Sequence, residues 1–108
     1  MLKYKIEIEG KRRPLPVVTF EDERYTLAGT FLLAEARSFG KEIMAELDKV
    51  CVEGKSSAEF SGNAFSLEIG PETTKVVDDI MGDECELPTK EMRKLVEEYR
   101  KANKSCRK

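Results

Sequence analysis

Apolar and polar residues alternate along the first part of the chain. The apolar positions are separated by single Lys or Glu residues and are Leu2, Tyr4, Ile6 and Ile8. This period of two predicts a strand with one buried and one solvated face. Residues 15–20 are apolar and β-branched and predict a second strand. Residues 24–27, after the acidic turn at 21–23, predict a short third strand.

The middle of the chain changes to a helical period. Apolar residues recur there at spacings of three and four, at Leu32, Ala36, Phe39, Ile43, Leu47 and Val50. This spacing predicts a long amphipathic helix that begins near a possible N-cap at Thr30 and ends before Gly54. Glu35 is assigned to the solvent side of this helix together with the other charged residues.

The second half of the chain returns to alternation and then to a helix. Residues 58–61, 65–69 and 73–80 predict three strands joined by Gly-containing turns. Residues 81–86 are irregular and acidic. Thr89 is a possible N-cap for a last helix, whose apolar face is predicted to consist of Met92, Leu95, Val96 and Tyr99. The remaining residues, 101–108, show no periodicity and predict a frayed basic tail.

The predicted element order is therefore βββαβββα. Connections of hairpin length favour antiparallel pairing. We expect an α+β fold in a single domain over residues 1–108, with an antiparallel sheet of about five or six strands and two helices packed on one face. The strand order within the sheet does not follow from the sequence.

Composition removes several classes of function. The chain has no histidine and no tryptophan, and its 19 basic and 21 acidic residues give a formal net charge of -2. Histidine catalysis, histidine metal sites and a uniformly basic nucleic-acid binder are thereby excluded. No nucleophile motif or phosphate-binding loop is present. We expect no catalytic residues, no metal and no cofactor.

The cysteines and the N-terminal residues indicate where the protein works. Cys51, Cys85 and Cys106 form no CxxC motif, which favours reduced thiols, with Cys51 buried among apolar neighbours. The first residues lack the apolar segment of a signal peptide, and no apolar run is long enough to span a membrane. The expected location is the cytoplasm, without a membrane partner.

Charge is segregated along the chain. Residues 1–15 hold five basic and two acidic side chains, residues 16–86 hold six and sixteen, and residues 87–108 hold eight and three. The acidic charge is densest at Asp78, Asp79, Asp83, Glu84 and Glu86. A second acidic patch consists of Glu21, Asp22 and Glu23.

These acidic clusters have several interpretations. They can be solvated loops, a surface for a basic protein partner, a metal site without the ligand spacing of an EF-hand, or an acid–base pair. We take the eight residues as candidate partner-binding residues. Whether the two patches share a face does not follow from the sequence.

The C-terminal half resembles a family of small bacterial proteins. Its segments are Phe60-Ser61-Gly62-Asn63-Ala64-Phe65, Thr73-Thr74-Lys75-Val76-Val77-Asp78-Asp79 and Leu87-Pro88-Thr89-Lys90-Glu91-Met92. Together they resemble the immunity proteins encoded beside polymorphic toxins, including those of contact-dependent growth inhibition. The resemblance implies no enzymatic activity and tight binding to one cognate toxin domain. It transfers no specific contact residue.

Four functions remain open at this point. The first is an immunity or inhibitor protein that neutralises a toxin, such as a nuclease, through its acidic surface. The alternatives are a regulatory or structural adaptor, which could form a dimer, a small carboxylate- and metal-dependent enzyme, and an RNA binder that uses the basic C-terminal residues. Nucleic acid is the least expected partner because Tyr99 is the only aromatic residue near those cations. The oligomeric state does not follow from the sequence.

Overall fold

Six strands form two separate antiparallel sheets in the computed structural model, which describes residues 2–106. The first sheet is a two-stranded ribbon of β1 (Tyr4–Glu9) and β2 (Leu15–Phe20). The second has the order β3-β4-β5-β6, with strands Ala58–Ser61, Phe65–Ile69, Thr73–Asp78 and Glu84–Pro88. The α+β prediction is confirmed, whereas the single sheet divides into two.

A helical segment with a kink at Phe39 lies between the two sheets along the chain. It starts with a 3-10 helix (Glu23–Tyr25), continues as α1 (Thr26–Phe31), passes through a π-helical turn (Leu32–Ala36) and ends as α2 (Arg37–Cys51). After β6, the helix α3 runs over Thr89–Cys106.

The predicted third strand at residues 24–27 is wrong, because these residues begin the helical segment. Asp22 is the N-cap: its carboxylate accepts the backbone N–H of Arg24 at 2.9 Å. An aspartate in this position satisfies a free N–H of the first turn and favours a helix start. Thr30 therefore lies inside α1 and does not cap it.

The predicted irregular segment at 81–86 is also wrong in its second half. Glu84 is paired with Val77 and Glu86 with Lys75 in the β5–β6 register. Cys85 and Leu87 point inward; Cys85 is half-buried and Leu87 is buried. Residues 84–87 thus have the alternating pattern of a strand, which was not recognised in the sequence because their outward positions are acidic. The preceding strand ends at Asp78, two residues earlier than expected.

The core lies between the helices and one face of the four-stranded sheet. Phe31 packs edge-on against Phe60 and Phe65, with ring centroids 6.2 and 6.1 Å apart. The predicted apolar face of α3 is confirmed, since all four of its members are fully buried: Met92, Leu95, Val96 and Tyr99. Burial of each such side chain contributes about 1.5–3 kcal/mol.

Two expectations for the helix ends differ from the structure. Cys51 is exposed, so the prediction of its burial is wrong; Val50 occupies the buried position in that last turn. Residues 101–106, expected to fray, are helical, and Asn103 is buried and accepts a hydrogen bond from Arg37 Nε at 3.3 Å. Residues 107 and 108 of the expected tail lie outside the described residues.

Candidate partner-binding surface

The outer face of the four-stranded sheet carries polar side chains. Phe60, Leu67 and Val76 point towards the helices and are at most 8% exposed. Their strand neighbours point the opposite way because successive side chains alternate between the two faces. One outward row runs across all four strands in register and consists of Glu59, Glu68, Lys75 and Glu86. The next outward row consists of Ser61, Ser66, Val77 and Glu84.

We call the glutamates of these two rows the acidic sheet face: Glu59, Glu68, Glu84 and Glu86. All four are exposed. Glu59 is directly opposite Glu68, a like-charge pair that destabilises a sheet. Lys75 Nζ lies 3.7 Å from Glu84, whereas no ion pair within residues 2–106 involves Glu59, Glu68 or Glu86. Lys49, Lys55 and Lys75 line the same open cleft as Glu59, Glu68 and Glu86, so the negative charge of the face is partly compensated.

Two of the predicted site residues have a structural task in the β5–β6 turn. Asp78 Oδ1 accepts the backbone N–H groups of Ile80 and Met81 at 2.9 and 3.0 Å. Asp79 accepts a hydrogen bond from Ser66 Oγ at 2.6 Å, and its N–H donates to Ala64 O at 2.9 Å. Asp78 is half-buried, whereas Asp79 is exposed and lies beside the acidic sheet face through Ser66.

The 3-10 helix, which contains Glu23, packs beside β6, whereas Glu21 lies beside β1 and β2. An open cleft beside this strand is lined by Arg24 and Tyr25 from the 3-10 helix and by Glu84, Cys85 and Glu86. Glu23 is the first residue of that helix, and Glu21 and Asp22 directly precede it. Asp83, which follows the β5–β6 turn, is exposed at the start of the same strand.

The second patch is partly neutralised by its own arginine. Arg24 Nη2 lies 2.7 Å from Asp22 Oδ2, and the guanidinium lies 5.3 Å from the centre of the Tyr25 ring. The hydrogen bond from Arg24 lowers the pKa of the Asp22 carboxyl below its usual value. Glu21 and Glu23 are exposed and have no ion pair among the described residues.

A buried carboxylate that the sequence reasoning missed fixes the turn between β3 and β4. Glu35 is 0% exposed. Its Oε1 accepts the N–H of Asn63 at 3.0 Å, and its Oε2 accepts those of Ala64 and Phe65 at 2.7 and 2.9 Å. A Cβ atom on Gly62 would lie 2.5 Å from this carboxylate, so any side chain there would displace the carboxylate from these hydrogen bonds.

The helical spacing contained a signal for Glu35. The residue lies three positions after Leu32 and four before Phe39, which places it on the apolar stripe and not on the opposite side. A charged residue on such a stripe needs buried partners. In this protein the partners are backbone N–H groups of a turn.

The described residues contain neither a metal-binding cluster nor a membrane-spanning helix. Within residues 2–106, no three His, Cys, Asp or Glu side chains are grouped so that they could hold a metal ion. None of the helices in this range has the length and apolar character needed to cross a membrane.

Comparison with known proteins gives an informative relative. No protein-family model matches the chain, and no solved structure matches it. An immunity protein of Bacillus cereus is 33% identical over 86 residues, which cover 76% of this chain and 74% of the relative. The immunity-protein part of the resemblance drawn from the sequence is confirmed. By this identity and coverage, the chain belongs to the same family of immunity proteins as its Bacillus cereus relative.

Proposed function

We propose that this protein is a non-enzymatic inhibitor that binds and neutralises one cognate bacterial toxin domain in the cytoplasm. The observation that carries the proposal is its kinship with an immunity protein. We further propose that the toxin belongs to a polymorphic or contact-dependent system.

The acidic surface supports a basic partner. It combines the acidic sheet face with the predicted residues Asp79 and Asp83, and with Glu23 on the 3-10 helix beside β6. Glu21 lies apart from this surface, beside β1 and β2. Opposite charges on two proteins accelerate their encounter and exclude wrong partners. A nuclease toxin fits this description, because its substrate groove must be positive to hold phosphates.

Asp78 and Asp22 contribute differently from the other predicted residues. Asp78 holds the β5–β6 turn through two backbone N–H groups, and Asp22 is engaged by Arg24. We propose that both shape the surface, and that the direct charge contacts come from the exposed carboxylates around them.

Binding kinetics with the toxin domain encoded beside this gene test the proposal. The triple variant Glu59→Gln, Glu68→Gln, Glu86→Gln removes three charges from the acidic sheet face. Its control, Glu7→Gln, Glu9→Gln, Glu42→Gln, removes the same charge from exposed positions on β1 and α2. We expect the sheet variant to lower the association rate about tenfold at low salt, with less effect at high salt, and the control to change it by less than about twofold.

Two results would contradict the proposal in different ways. If the wild-type protein does not bind the toxin domain or protect cells that express it, the immunity function is wrong. If binding is tight but the sheet variant and the control behave alike, the acidic sheet face is not the contact surface.

A further inference from the structure

The tip of the β5–β6 turn exposes two consecutive apolar side chains. Ile80 is 76% exposed and Met81 is 74% exposed, more than any other large apolar residue among the described ones. Single exposed apolar side chains are common on protein surfaces. Two adjacent ones at the end of a hairpin form a protrusion that only a partner can cover.

This tip is held in one conformation by its neighbours. Asp78 accepts the N–H groups of both Ile80 and Met81, and its own N–H donates to Asp83 O at 2.8 Å. Gly82 has a φ of 82°, which disfavours other residues, and its N–H donates to Asp78 O at 2.8 Å. A protrusion that is ordered before binding loses less conformational entropy when it docks.

The surroundings of the tip are acidic. Residues 76–89 contain no Lys or Arg. Asp79, Asp83 and Glu84 flank the two apolar residues and are exposed. At the opposite end of the sheet, Lys49 and Lys55 line the groove beside Glu59. At the tip, Glu84 is paired with Lys75 at 3.7 Å, whereas Asp79 and Asp83 have no ion pair among the described residues.

We propose that Ile80 and Met81 are the apolar anchor of the toxin-binding surface, and that they insert into an apolar pocket rimmed by Lys or Arg on the toxin domain. This inference rests on the proposed function and names the residues that set the dissociation rate of the complex. Buried apolar anchors dominate the binding energy of interfaces, whereas peripheral charges mainly set the association rate.

A second copy of this chain fits the tip less well than a toxin does. A symmetric contact through the tip would place Asp79, Asp83 and Glu84 against the same residues of the other copy. Such like-charge contacts oppose association. The three acidic residues around the tip therefore favour a partner of opposite charge.

The test compares three variants in stopped-flow or surface-binding kinetics with the toxin domain encoded beside this gene. Ile80→Ser with Met81→Ser removes the anchor, Asp83→Asn with Glu84→Gln removes flanking charge, and Val52→Ser is the matched control. Val52 is 69% exposed and lies after α2, outside the tip. A fourth variant, Ile80→Val with Met81→Leu, keeps the apolar surface.

We expect the anchor variant to raise the dissociation rate about tenfold or more with little change in the association rate. The charge variant should lower the association rate and its salt dependence. The control and the conservative variant should bind like the wild type. Thermal unfolding of each variant establishes that it is folded.

Three outcomes overturn this inference. If the wild type binds tightly and the anchor variant dissociates within about twofold of its rate, the anchor lies elsewhere while the proposed function stands. If the wild type sediments as a dimer that the anchor variant converts to a monomer, the tip serves self-association. If the wild type does not bind the toxin domain, the proposed function fails and the inference fails with it.

Discussion

Replacement of Glu35 by glutamine tests whether the buried carboxylate stabilises the fold. Glutamine has nearly the same volume, so the variant removes the charge without leaving a cavity. The native carboxylate accepts three backbone N–H groups, at 2.7, 2.9 and 3.0 Å. The glutamine carbonyl has two lone pairs, and its NH2 group is a donor that would face the third N–H.

The expected loss follows from these three contacts. One N–H group becomes unsatisfied, which costs about 1–3 kcal/mol, and the remaining two bonds lose their charge assistance. Removal of the charge also relieves the desolvation of a buried carboxylate, which offsets part of this loss. We expect Glu35→Gln to lower the free energy of unfolding by about 3 kcal/mol. Glu35→Ala should cost more, because it leaves all three N–H groups without an acceptor.

Urea unfolding followed by circular dichroism measures these changes, with Glu42→Gln on the exposed side of α2 as the control. Gly62→Ala supplies a second variant for a double-mutant cycle. A Cβ at residue 62 would lie 2.5 Å from the Glu35 carboxylate, so Gly62→Ala should be costly in the wild type and much less so with Glu35→Ala. Additive effects in the cycle, or a Glu35→Gln variant as stable as the control, would refute the reasoning.

Three other predictions concern charge, pH and thiol reactivity. Glu59→Thr removes the repulsion with Glu68 and should raise the free energy of unfolding by up to about 1 kcal/mol in urea while slowing toxin association; a destabilised variant would contradict this. Burial raises the pKa of Tyr99 to about 12 from 10.0, so the unfolded state loses this proton first and stability should fall by about 2–3 kcal/mol between those pH values. Tyr99→Phe should flatten this part of an alkaline unfolding curve, and an unchanged slope would argue against it. Iodoacetamide followed by peptide mass spectrometry should find Cys51 modified before Cys85, because Cys51 is exposed and burial raises the pKa of Cys85; the reverse order would be inconsistent with the structure.

Local periodicity was sufficient where one face of an element is buried. The alternation of β4 and the stripe of α3 follow directly from that condition, and both were predicted, whereas β5 was predicted from its β-branched residues. The strand prediction for residues 24–27 was wrong because the conformation of this short segment depends on the preceding Asp22 cap, which favours a helical turn over a strand. The division into two sheets depends on contacts between distant elements and has no local pattern.

The site was predictable in its charge but not in its arrangement. The acidic residues of 78–86 were found by their density, yet Asp78 faces its own turn. Glu59 and Glu68 were missed because they are far from that cluster in sequence, and only the strand register brings them into one row with Glu86. Outward positions of neighbouring strands would have to be compared to find such a surface.

The packing of α3 on the first ribbon has a consequence for biosynthesis. The Tyr99 hydroxyl donates a hydrogen bond to Pro16 O, which is 83 residues away in the sequence. The Tyr4 hydroxyl donates one to the Glu98 carboxylate, 94 residues away. A two-stranded hairpin is marginal in water by itself. Some contacts of the ribbon are local, since β2 also packs against α1. Its contacts with α3 form only once α3 has been synthesised, so a chain truncated before α3 leaves the ribbon partly uncovered and open to proteases.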